Sequence, residues 1–399
     1  MTTQSYIEVE QAYGARNYKP LPVVLNRGEG VWVWDVEGRK YLDMLSAYSA
    51  VSHGHRHPRL VEAARRQLDR LTLTSRAFYN DQLGPLCRDL AALCGLDMVL
   101  PMNTGAEAVE TAIKAARRWG YRVKGVPPDS ARIVVCDHNF HGRTTTVISF
   151  SSDGAYRDGF GPFTPGFDLV PFGDAEAMAA KVGPETVAVL LEPIQGEAGV
   201  VVPRSGYLRK VRDLCTRQKV LMLADEVQTG LARTGRMFAC DHEDVKPDAY
   251  ILGKTLGGGI LPVSAVVGTK ELLGVFEPGS HGSTFGGNPL GAAVAREAIR
   301  ILEEEHLAER ADRLGAAFRA RLESLVGQGR VTAVRGKGLL NAVVLNTALG
   351  TARAAAEELM ARGILCKETH ENVLRFAPPL VITEEEQDWA LGIIVDVLS

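Results

Sequence analysis

Residues 220–259 read VLMLADEVQTGLARTGRMFACDHEDVKPDAYILGKTLGGG, and the fold follows outward from them. Val220 to Ala224 is wholly apolar, too short for a helix, and closed by Asp225-Glu226, so it predicts a buried strand. Ala249 to Leu252 predicts another, closed by Gly253 and Lys254. Upstream, Arg132 to Cys136 and Thr186 to Leu191 predict two more. Helical patterns lie among them: Pro58 to Leu73, with proline early and an apolar period near 3.6, and Ala106 to Trp119, opened by Asn103-Thr104-Gly105. Strands alternating with helices imply parallel crossovers, hence an α/β fold with an open, mostly parallel sheet sandwiched by helices.

The two ends of the chain differ from this middle. The first 45 or so residues read as an arm and then a hairpin, with Val31 to Trp34 and Lys40 to Asp43 flanking the turn Asp35-Val36-Glu37-Gly38. Beyond about residue 295 the pattern becomes charged amphipathic helix, Ala295 to Leu325. A strand from Val331, a helix over Thr351 to Arg362, a strand over Asn372 to Phe376 and a last helix after Thr383 follow. The expected division is an arm and hairpin over 1–48, a large domain over 49–300 and a smaller α/β C-terminal domain over 301–399.

The chain has 399 residues, and 45 Lys plus Arg against 48 Asp plus Glu leave a net charge of −3, with no basic stripe for nucleic acid. No uncharged apolar run approaches the roughly 18 residues of a membrane span; Val187 to Leu191 stops at Glu192. Met1 to Glu10 is polar and lacks the layout of a secretory signal, and six cysteines are scattered without a C-x-x-C pair. The expectation is a cytoplasmic chain with reduced thiols. Gly253-Lys254-Thr255 resembles the end of a P-loop, but position 248 is Asp; Gly336-x-Gly338 begins a dinucleotide fingerprint whose third glycine would be Asn341. His53, His55 and His57 alternate, yet Gly54 and Pro58 make them loop histidines and no metal site is expected.

Four features form a set. The helix start at Asn103-Thr104-Gly105-Ala106 offers free backbone N–H groups to a phosphate. Asp225 sits at a strand's carboxyl edge, where open α/β sheets bind ligands. Lys254 follows the next strand and is a candidate nucleophile towards an aldehyde if burial lowers its pKa. Phe140 is expected to end another strand and to cover a planar ligand. Together these meet the requirements of pyridoxal 5′-phosphate (PLP): an anion site, an amine for the aldehyde, a carboxylate for the ring nitrogen and a ring platform. Spacing alone leaves open a surface lysine and a capping aspartate.

The stretches LEPIQGEAGVVV (191–202), ADEVQTGLARTG (224–235), LGKTLGGG (252–259) and GSTFGGNPL (282–290) resemble class III aminotransferases of PLP fold type I. YGARNY (13–18), LSAYSAV (45–51), LTLTSRAFY (71–79), GFGPFTPGF (159–167), RGKGLLN (335–341) and RFAPPLV (375–381) are similar to the ornithine δ-aminotransferase branch of that class. The resemblance implies that Lys254 carries the cofactor, Asp225 faces its ring nitrogen, Gln228 its phenolic oxygen and Phe140 its face. It implies that Gly105 and Ala106 bind the phosphate, with Thr284 lent by the neighbouring subunit of a homodimer. For substrates it matches Arg143 to ornithine's α-carboxylate, Tyr18 to its α-amine and Tyr48 to ornithine selectivity. Arg375 matches the arginine for the α-carboxylate of 2-oxoglutarate, and Glu197 its switchable partner. The implied reaction transfers the δ-amine of L-ornithine to 2-oxoglutarate by a ping-pong route, in ornithine, arginine and proline metabolism. His141, tryptophan in animal members of the branch, is expected to alter the pocket wall only slightly. An N-acetylornithine or GABA aminotransferase, a PLP-dependent racemase or decarboxylase, and a catalytically silent PLP-binding protein are the alternatives.

Overall fold

The computed structural model describes residues 1–399. Every residue of Thr186–Leu191, Leu221–Asp225 and Ala249–Leu252 is buried, as continuous apolar runs require when helices cover both faces of a sheet. These strands belong to a seven-stranded sheet in the order 98–102, 264–268, 249–252, 221–225, 186–191, 132–136 and 167–170. Strand 264–268 runs antiparallel to both its neighbours, and the remaining pairings are parallel. Side chains alternate between two cores: Val134, Cys136, Val189 and Leu191 face one, and Ile133, Val135, Ala188 and Leu190 the other. The second core is closed by helix Gly105–Trp119, whose Ala108, Val109, Ala112, Ile113 and Ala116 are all buried.

The expected strands are present nearly to the residue. In the large sheet three short ones were not expected: Met98–Met102, Phe167–Val170 and Ser264–Gly268. The first carries Pro101, which argues against a strand in sequence but is tolerated because 98–102 is an edge. Phe140 does not end a strand; strand Arg132–Cys136 stops earlier, and Phe140 lies in the following loop. The helix expected to reach Leu73 ends at Leu68, where Gln67 Nε2 turns back to the Leu71 carbonyl at 2.7 Å. The expected helix Ala295 to Leu325 is two helices, Pro289–Glu304 and Leu307–Glu323. The break falls at His306 (φ +51°), after the glutamate run, where Glu304 pairs with Arg59 and Glu305 with His57.

The N-terminal arm contains an unanticipated helix, Thr3–Tyr13, with no buried residue and therefore no apolar stripe to reveal it. The hairpin strands 32–35 and 40–43 form as expected, joined by strand Leu25–Glu29 on one side and by Ile364–Leu365 on the other. One sheet thus combines both ends of the chain. A second antiparallel sheet, in the order 331–337, 340–345, 373–376 and 367–369, carries Arg375 on an inner strand.

Candidate active site

Four parallel strands end at one edge of the large sheet, and each delivers a side chain there. Strand 132–136 leads to Phe140 and His141, 186–191 to Glu192, 221–225 ends on Asp225, and 249–252 precedes Lys254. These residues, with Gly105, Ala106, Glu197, Val227, Gln228 and Thr229, surround a cleft of about 190 Å³. It lies outside the carboxyl ends of the strands, where such sheets bind ligands.

The anion end is built by helix 105–119. Thr104 caps it, accepting from Glu107 N at 3.3 Å, while Glu107 Oε2 accepts from Thr104 N at 2.7 Å. This capping box satisfies the third amide and the cap amide, leaving those of Gly105 and Ala106 without intrahelical partners. Gly142 (φ +123°) lets the neighbouring loop lie against this helix start; a Cβ there would stand 2.8 Å from Ala106 Cβ.

At the other end, Asp225 is buried and both its oxygens are used. Oδ1 accepts from Val227 N at 3.0 Å, and Oδ2 meets His141 Nδ1 at 2.6 Å. Burial opposes charge on the His141 ring, but the Asp225 carboxylate outweighs it and raises the pKa. His141 is therefore the buried partner of Asp225 as well as part of the cleft wall, a contact that its place in the sequence does not reveal. Glu192 Oε2 accepts from Phe140 N at 3.0 Å, and burial pushes its carboxyl up to about 8. Glu192 was missed, although it is a carboxylate at a strand's carboxyl edge in the same sense as Asp225.

Lys254 has left-handed backbone (φ +43°), a strained conformation of the kind that collects at functional sites. Burial holds its ammonium below the usual range, with Glu197 opposing. A wider cleft of about 430 Å³ shares Phe140, Glu197 and Lys254 with the first and adds Tyr18, Tyr48, Arg143, Tyr156 and Arg375. Arg375, 1% exposed, donates to Glu197 Oε1 at 2.7 Å, and Gln228 Nε2 donates to the same oxygen at 3.1 Å. Burial disfavours the Glu197 carboxylate, yet Arg375 and Lys254 prevail and hold its pKa at about 2. Tyr48 lies beneath the Arg375 guanidinium, 5.1 Å from its carbon, on a single left-handed turn, Ser46–Ser49. Tyr18 is 71% exposed at the mouth. Thr284 is exposed and borders neither cleft.

The arrangement places an amine, a buried carboxylate, a ring and a helix N-terminus around one cavity, with two arginines beyond. An aminotransferase needs such a set. The pattern of the family described as "Aminotransferase class-III" matches residues 13–398, and the chain belongs to that family. It is 56% identical over 396 residues to the ornithine aminotransferase of Brevibacillus brevis, covering 99% of this chain and 98% of that one. Its fold is similar to the ornithine aminotransferase of Toxoplasma gondii, whose structure shows partial occupancy of PLP at its active site: TM-score 0.98, 48% identity, 100% and 94% coverage. The acetylornithine aminotransferase of Elizabethkingia anophelis is also similar, with TM-score 0.91, 52% identity, and 99% and 98% coverage.

Proposed function

We propose that this chain is an ornithine aminotransferase that uses pyridoxal 5′-phosphate to move the δ-amine of L-ornithine to 2-oxoglutarate. The residues fit the cofactor: the paired free amides of Gly105 and Ala106 suit a phosphate, and the buried Asp225 suits a protonated ring nitrogen. When bound, the cofactor supplies an aldehyde carbon that accepts an amino group and a conjugated ring that accepts electrons from the substrate carbon. Asp225, aligned by His141, would hold negative charge against the ring nitrogen, Phe140 would cover a face of the ring, and Gln228 would meet its phenolic side. Lys254 Nζ, disposed by burial towards the uncharged amine, takes the proton from the substrate carbon. The working unit is a homodimer in which Thr284 would hold the cofactor phosphate of the second copy; its exposure and that of Phe78, Tyr79 and Phe285 support this. No helix is long and apolar enough to cross a membrane.

The observation that carries the substrate is the unequal treatment of two arginines in one cleft. Arg375 is masked by Glu197, whereas Arg143 has no carboxylate partner. Ornithine presents its α-carboxylate away from the reacting δ-amine and meets Arg143, with Tyr18 near its α-amine and Tyr48 along its chain. It leaves as glutamate 5-semialdehyde, which cyclises to pyrroline-5-carboxylate. 2-Oxoglutarate brings its α-carboxylate close to the reacting carbon and needs Arg375, released when Glu197 swings aside. The likeness to an acetylornithine enzyme favours a second reading, in which the α-amine carries an acetyl group. Ornithine, N-acetylornithine and GABA offered separately with 2-oxoglutarate decide between them. Ornithine should give the highest kcat/KM; a preference for N-acetylornithine would overturn the proposal in favour of the second reading.

A further inference from the structure

Arg143 is exposed in the wider cleft and makes no ion pair or hydrogen bond within the chain, although Asp153 borders the same space. A long side chain so placed loses about 2 kcal/mol of rotamer freedom when a ligand fixes it, unless something fixes it beforehand. Its guanidinium carbon lies 3.7 Å from the centroid of the Tyr156 ring and 5.5 Å from that of Phe140. The two rings meet edge to face, 6.0 Å apart at 78°. Tyr156 is itself held. Its turn, Gly154–Arg157, is capped by Asp153, which accepts from Ala155 N at 2.9 Å. Arg157 closes the turn by donating to the carbonyls of Ser149 at 2.9 Å and Ser151 at 3.2 Å.

Stacking uses the face of a guanidinium and leaves its in-plane N–H groups free, whereas an ion pair such as that of Arg375 consumes them. We propose that Tyr156 is a specificity-determining positioning residue, whose ring orients Arg143 for a carboxylate at the far end of the amino donor. It thereby selects donors that carry a carboxylate remote from the reacting amine. The proposal deepens the ornithine reading and rests on it. The ring face does this work, because the Tyr156 hydroxyl has no hydrogen-bond partner in the chain.

The test compares ornithine with 1,4-diaminobutane, the same carbon chain without the carboxylate, in single-turnover reactions of the loaded enzyme. Tyr156→Ala should cut the preference for ornithine by about tenfold, through the concentration dependence rather than the limiting rate, while glutamate in the same sample reacts as before. Tyr156→Phe should restore the preference. In an Arg143→Ala background, Tyr156→Ala should add no further loss. An unchanged preference in Tyr156→Ala, equal losses for ornithine, diamine and glutamate, or full additivity with Arg143→Ala would overturn it. A wild-type enzyme that does not take ornithine would overturn the underlying reading, and this proposal with it.

Discussion

At the scale of single residues, the site depends on pairs in which one partner holds the other. His141 is the clearest case: with Nδ1 at 2.6 Å, it gives the buried Asp225 its one side-chain hydrogen bond. His141→Leu should leave that carboxylate with only the Val227 amide. A hydrogen bond to a charged group contributes about 1.5–3 kcal/mol, so kcat should fall roughly 10- to 100-fold. The donor's KM should hardly change, while the pH titration of the cofactor's absorbance should move. An unshifted titration with an unchanged rate would refute the positioning role. Glu197 is the second case. Its low pKa keeps the pair with Arg375 ionised throughout the neutral range. Glu197→Ala should therefore expose Arg375 at every working pH, speed the glutamate half-reaction, and reduce preference for ornithine's δ-amine by about tenfold or more. Pre-steady-state spectra with each donor separate this from a static pair, whose loss would slow both halves alike. Lys254 and Asp225 were legible because each follows an apolar run. His141, next to Phe140, was visible as a residue but not as a partner, since its contact is with a strand 84 positions away.

At the scale of elements, the strands were legible where burial makes them continuous and illegible where they are short or at edges. No sequence signal marks the left-handed turn Ser46–Ser49 that presents Tyr48. Ser-Ala-Tyr-Ser contains neither glycine nor asparagine, and left-handed backbone costs such residues about 1–2 kcal/mol each. The turn persists because neighbours fix it. Asp43 Oδ1 accepts from Leu45 N at 2.9 Å and Ser46 N at 2.8 Å, and Ser46 Oγ donates to the Ala377 carbonyl at 2.6 Å. Arg233, fully buried, ties the same turn to the C-terminal sheet. It donates to the carbonyls of Leu339 at 3.1 Å and Pro378 at 2.6 Å, to Ser52 Oγ at 2.9 Å, and to Ser46 Oγ at 3.4 Å. Arg233→Met fills the space but takes the donor from the carbonyls of Leu339 and Pro378, at roughly 1–3 kcal/mol each. The variant should lose about 3 kcal/mol or more of stability, and its KM for ornithine should rise with the displacement of Tyr48. Denaturant midpoints together with ornithine saturation curves check both; a stable variant with normal KM would show that the turn does not depend on Arg233.

At the scale of the whole molecule, strands from the first 43 residues and from 364–365 share one sheet, and the segment that follows its hairpin carries a pH-dependent balance. His53 lies in the segment after the left-handed turn, beneath helix 289–304. Its Nε2 donates to the Ala298 carbonyl at 3.0 Å, and its Nδ1 is buried without a partner. Burial pushes its pKa down to about 4 from 6.5, with His57 and Arg233 nearby adding to the shift against the Ala298 hydrogen bond. Between those values the unfolded chain takes up a proton that the folded chain refuses, so stability falls as the pH drops through this window. The buried Glu226 and Glu192, held at about 7 and 8, act in the opposite sense. They keep protons in the folded state that the unfolded chain has released, so their contribution rises on acidification. The overall profile is flattened by this opposition, and His53 shows itself only as a difference between proteins. His53→Gln retains a donor for Ala298 but cannot take up the proton. At pH 7.5 the variant should be the less stable, because it packs less well than imidazole. From pH 7.5 to 5.0 the wild type should lose ground to it by about 2 kcal/mol, the free energy of a 1.5-unit excursion below the ordinary histidine pKa. For a chain of this length that narrows the gap in thermal midpoint by about 2 °C. Paired melts of the loaded proteins at both pH values read it directly, and parallel midpoints would show that the His53 ring takes its proton in the folded state.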